Sequence, residues 1–151
     1  PGIRITRFPY EEPYHLNLRI TASNGRITGD LEYYCNATDL GVLGRQLAGF
    51  SGGRTEEIVY ELGSEKPEDR FAFHFSLRVK PLDSLGHCAL LVRLSNNATV
   101  PEKEISEFAI KAEVADVNRL GRLLEDFGRL EHRVLDWHIH DGALIEDEIR
   151  A

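Results

Sequence analysis

The stretch RFAFHFSLRV, residues 70–79, alternates apolar and polar residues without a break. Phe71, Phe73, Phe75, Leu77 and Val79 share one side, and Ala72, His74, Ser76 and Arg78 share the other. Successive side chains of a strand point to opposite faces, so this spacing predicts a strand with one face on a core. Such alternation belongs to antiparallel sheets, whose second face meets water. A strand of this kind needs neighbours with the same pattern, and the chain supplies them.

YHLNLRIT, 14–21, places Leu16, Leu18 and Ile20 on one side. Ser23-Asn24-Gly25 follows it as a hairpin signal, because Asn-Gly tolerates positive φ. The return strand runs from Arg26 to about Tyr34, with Ile27, Leu31 and Tyr33 expected inward. Ile3 and Ile5 predict an earlier strand before Pro9, and Ile58, Tyr60 and Leu62 a short later one. After the tight connection Asp83–Gly86, Cys88, Leu90, Val92 and Leu94 alternate again, and Phe108, Ile110, Ala112 and Val114 repeat the pattern.

Two segments carry the helical period instead. Leu40, Leu43, Leu47 and Phe50 form one stripe behind Thr38 or Asp39 as the cap, and Ser51-Gly52-Gly53 stops the helix. Gly41 and Gly44 weaken such a helix by about 1 kcal/mol each relative to Ala, and are expected to let it approach the sheet closely. Val117, Leu120, Leu123, Leu124, Phe127 and Leu130 form the second stripe, capped by Asp116. Strands are grouped and do not alternate with helices, which favours an α+β fold over a doubly wound parallel sheet. The expectation is one domain over 1–151: an antiparallel β-sheet of about six to eight strands with two amphipathic α-helices, one central at about 39–50 and one C-terminal at about 116–131. Residues 141–151 are expected as a flexible tail. No internal repeat stands out.

Length and composition agree. A chain of 151 residues with 42% hydrophobic and 28% charged residues can bury its own core. The net charge of −7 argues against nucleic acid, whose binders present a basic face. The longest apolar runs are a few residues, far short of the roughly 20 that span a bilayer. The N-terminal residues lack the pattern of a secretory signal, so a cytoplasmic location is expected. Cys35 and Cys88 sit in strand-like runs and read as reduced, packed thiols.

Chemistry-bearing clusters are few. DWHIHD, 136–141, puts Asp136, His138 and His140 on one side of an extended segment, a donor set that suits zinc, iron or copper. It raises the reading of a metal-dependent enzyme; a stable site usually also needs a ligand from another element, for which His15, His74, His87 and His132 are the candidates. His87 and Cys88 are adjacent in a strand, so they point to opposite faces and do not form a nucleophile–base pair. The glycine-rich 49–54 follows a helix and offers no helix N-terminus to a phosphate. No cofactor motif is present. Tyr10, Glu11, Glu12 and Tyr14, with Glu32 and Tyr34, combine exposed aromatic and acidic side chains, a pattern suited to a protein interface. The phenylalanine row instead raises a small-molecule pocket between sheet and helices. A homodimer is compatible with every one of these readings.

LGVLGRQL (40–47), LGHCALLVRL (85–94), and FAIKAEV (108–114) running into VNRLGRLLEDF (117–127) carry a further signal. In the order of these elements, residues 14–130 resemble bacterial toxin-immunity proteins of the WapI type. That resemblance implies a non-enzymatic protein that binds and blocks a cognate toxin, and it transfers no individual residue. An acidic inhibitor of a basic toxin would gain association rate from opposite charge.

Overall fold

The computed structural model describes residues 1–9 and 12–146. Strands β1 (Gly2–Phe8), β2 (Leu16–Ser23) and β3 (Thr28–Cys35) lead into helix α1 (Ala37–Ala48) and strand β4 (Ile58–Gly63). Strands β5 (His74–Pro81), β6 (His87–Ser95) and β7 (Ile105–Glu113) lead into helix α2 (Val114–Phe127), then β8 (Val134–His138) and β9 (Asp141–Ile145). The fold is α+β, and its strands form two antiparallel sheets, not one. Sheet A has the order β3-β2-β1-β8-β9, and sheet B the order β4-β5-β6-β7. Among the described residues, no helix is long and apolar enough to cross a membrane.

The two halves of the chain repeat each other. Each is a three-strand meander, a helix and a further strand. The strand after each helix pairs with the first strand of the opposite half: β4 with β5, and β8 with β1. The helices carry the signature. DLGVLGRQLAGF, 39–50, matches DVNRLGRLLEDF, 116–127, at Asp39/Asp116, Leu43/Leu120, Gly44/Gly121, Arg45/Arg122, Leu47/Leu124 and Phe50/Phe127. This duplication is hidden from sequence periodicity because the connections differ. The β2–β3 turn occupies 24–27, whereas the β6–β7 connection occupies 96–104.

An approximate two-fold axis passes where equivalent residues touch. A Cβ on Gly29 would lie 2.6 Å from the Cβ of its counterpart Ser106, and one on Gly44 would lie 2.8 Å from the carbonyl oxygen of Gly121. Gly44 therefore serves the approach of α1 to α2, not to the sheet. At each helix start the third residue reaches back: the Asp39 carboxylate accepts from Asn36 N–H at 3.1 Å, and Asp116 from Glu113 N–H at 2.9 Å. The caps are thus Asn36 and Glu113; of the expected caps, Asp39 and Asp116 are the third residues of their helices and Thr38 is the second residue of α1.

The core lies between the sheets and the helix pair. Leu16, Leu18 and Ile20 of β2, Leu90 and Val92 of β6, and Leu47 and Phe127 of the helices are essentially fully buried. Each such side chain contributes about 1.5–3 kcal/mol relative to exposure. Tyr33 of sheet A stacks on Phe75 of sheet B, with ring centroids 5.1 Å apart. The alternation at 70–79 is longer than its strand, because β5 begins only at His74. Arg70 adopts a left-handed conformation, and the Asn97 side chain holds the Phe71 carbonyl. Phe71 is thereby left exposed and Phe73 stands at the margin of the core. Ile27 lies in the β2–β3 turn and is exposed, so Gly29, Leu31 and Tyr33 form the inner row of β3. The expected tail is in part ordered: Asp141–Ile145 pairs with β8 as the edge strand β9. Residues 147–151 lie outside the described residues.

Candidate functional site: the outer face and edge of sheet B

Five polar side chains of sheet B and its flanking loop are linked in series. His74 projects from the outer face of β5, with its Nε2 3.0 Å from Glu61 Oε1 of β4 and its Nδ1 against Glu65. Glu65 also takes Arg93 of β6 in a two-point contact, Nε and Nη2 at 2.7 Å each. Arg93 Nη1 reaches on to Glu107 of β7 at 2.6 Å. Cross-strand register accounts for this: β5 places His74 beside Ser95, and Arg93 lies directly opposite Glu107. The Arg93 hydrogen bonds, opposed by partial burial and reinforced by His74, bring the Glu65 carboxyl down to about 2. The series borders an open groove of about 510 Å³ floored by Ser76, Leu91 and Ala109. Glu61 and Glu107 stand at its rim with half or more of their side chains exposed. Alternation places His74 outward, but nothing in sequence spacing joins Glu61, Glu65, Arg93 and Glu107, which meet only through the ladder.

The residues expected to bind metal separate. Asp136 and His138, two apart on β8, face each other at 3.1 Å. His140 sits in the β8–β9 turn at positive φ and turns instead to α2, its Nδ1 3.4 Å from Asp116. The one three-donor group among the described residues is therefore Glu113, Asp116 and His140. The Asp116 carboxylate accepts three hydrogen bonds. Its Oδ1 accepts from the Arg119 guanidinium at 2.9 Å and from His140 N–H at 2.8 Å, and its Oδ2 accepts from Glu113 N–H. Burial opposes ionisation of Asp116, but these hydrogen bonds outweigh it and hold the carboxyl below its usual range. Through Asp116, which takes both the Arg119 guanidinium and the His140 N–H, this cluster ties α2 to the β8–β9 turn.

Of the expected interface residues, Tyr10 and Glu11 lie outside the described residues. Tyr14 is 77% exposed, and Glu32 and Tyr34 are exposed on the outer face of β3. Glu12 does not join them. It is drawn inward to pair with Arg7, a buried arginine that also donates to the carbonyls of Leu130 and His132 at 3.0 and 2.9 Å. A buried guanidinium needs a partner charge more than a surface needs one more carboxylate.

Cys35 and Cys88 are free and buried, and burial pushes their thiols up to about 12 and about 11, away from nucleophilic thiolate. The space enclosed between the sheets and helices, lined by Tyr33, Tyr60 and Phe75 among others, measures about 20 Å³. That holds about one water and not a metabolite. At 49–54, the backbone N–H groups of Ser51 and Gly52 donate to the chain's own Glu56 at 2.8 and 3.0 Å, so the helix stop is satisfied internally. No protein-family model matches the chain, and no curated protein matches it in sequence.

Proposed function

We propose that this chain is a non-enzymatic protein that binds and blocks a basic protein partner, as its resemblance to WapI-type toxin-immunity proteins implies. One observation carries the reading: Glu61 and Glu107 are held at the rim of an open groove by His74 and Arg93, which Glu65 locks in turn. Carboxylates fixed in this way meet a lysine or arginine without first losing side-chain freedom, and that preorganisation favours binding. The net charge of −7 adds long-range attraction for a basic partner. Tyr34 on β3 and Tyr14 in the β1–β2 connection offer exposed aromatic anchors.

The test is coexpression with the polypeptide encoded beside this chain's own gene. The reading expects that polypeptide to arrest growth alone, to be harmless with this protein, and to form a complex of fixed stoichiometry with it. Absence of both rescue and complex overturns the immunity reading.

A further inference from the structure

Sheet A has five strands and sheet B four, and the duplication locates the difference. Strands β8 and β4 are equivalents, each following its helix and pairing with the first strand of the other half. On its far side β8 is covered by β9, in register from Val134↔Ile145 to His138↔Asp141. Among the described residues, the matching side of β4 has no partner strand. Among the described residues, no hydrogen bond from outside sheet B reaches the β4 backbone.

Burial reports the same vacancy. On β8, the inward Leu135 and Trp137 are fully buried. Their counterparts on β4, Tyr60 and Leu62, are only half-buried, and the outward Val59 is 50% exposed. Backbone donors and acceptors along an open edge, beside apolar side chains not fully covered, are what an added strand requires.

We propose that the free edge of β4 accepts an extended segment of a basic partner protein, which becomes the fifth strand of sheet B as β9 is the fifth strand of sheet A. The segment alternates. Its apolar residues lie beside Tyr60 and Leu62, and its lysines or arginines lie on the outer face beside Glu57 and Glu61. Both glutamates are exposed, on the same side of β4 as Val59. The same two residues oppose pairing of β4 with a second copy, which would set glutamates against glutamates across the new ladder. The proposal rests on the partner-binding reading and deepens it by naming the segment's chemistry and its seat.

The probe is a short synthetic peptide alternating lysine with valine, titrated into the full chain while amide hydrogen exchange is followed by mass spectrometry. Saturable binding with slowed exchange in β4, and about tenfold weaker binding when a central proline interrupts the peptide, is the expected result. The double variant E57Q/E61Q, at exposed positions, is expected to stay folded, as read by circular dichroism, and to bind the peptide about tenfold more weakly. Binding without protection of β4, or unaffected by proline, shows electrostatic adhesion alone and overturns the proposal. No binding overturns it too, and so does concentration-dependent protection of β4 without peptide, which marks a second copy as the occupant. If the coexpressed partner still forms its complex in any of these cases, the partner-binding reading stands and only the edge is wrong.

Discussion

Gly44 and Gly121 meet backbone to backbone where α1 crosses α2, and they occupy the same position in the two halves of the chain. A Cβ on Gly121 would lie 2.2 Å from the Ala48 nitrogen and 2.6 Å from the Gly44 carbonyl oxygen. In an isolated helix, Gly→Ala stabilises by about 1 kcal/mol. Here the sign is expected to reverse. Gly121→Ala should cost about 1–3 kcal/mol through overpacking, measurable by urea denaturation. Unchanged or increased stability would show that the helices can move apart freely.

Arg7 is the charged counterpart of Val79 in the other half, since both lie opposite equivalent leucines, Leu18 and Leu90. Its charge is matched by Glu12. Glu12→Ala should cost about 3–5 kcal/mol, because it leaves a buried guanidinium without its carboxylate. Arg7→Met combined with Glu12→Leu should recover most of that loss. A double-mutant cycle reads the difference, and purely additive losses would mean the pair is not coupled.

Acid should destabilise the protein in a definite window. The Glu65 carboxyl is lowered from 4.5 to about 2 by Arg93 and His74, and that of Asp116 is also lowered. A carboxyl depressed in the folded state contributes its full stability above the unfolded value and loses it as pH falls toward the folded one. Stability should therefore decline from about pH 4.5 toward pH 2, and Glu65→Gln should flatten that decline. An unchanged slope in the variant would place the acid sensitivity elsewhere.

Thiol chemistry gives an independent check. With Cys35 and Cys88 raised by burial, an aromatic disulfide reagent should leave the native protein unlabelled and label both residues in denaturant. Rapid labelling of either thiol in the native state would contradict its placement in the core.

Alternation made most of the sheet legible in the sequence: β2, β6 and β7 lie where Leu18, Leu90 and Ile110 placed them. It failed where a local conformation broke the pattern, as at Arg70, which releases Phe71 to solvent. The duplication was written in Asp39, Gly44 and Phe50 against Asp116, Gly121 and Phe127, but unequal connections removed any fixed period. The charge series was out of reach for another reason. Glu65 and Arg93 are far apart in the chain, and the pairing of β4 on β5 and of β5 on β6 brings the loop after β4 to Arg93. Only an extended segment would set His140 beside His138. The turn at positive φ sends it to Asp116 instead.

The exchange of strands between halves also orders events as the chain is made. Sheet B is assembled from β4 through β7 in sequence order, so each new strand joins the one before it. Sheet A begins with β1 but places β8 at its flank, more than a hundred residues later. A contact so distant in sequence closes slowly, because a long loop must be restrained first. During synthesis β1 must therefore wait with one side unpaired, a nascent edge open to misassembly until β8 arrives.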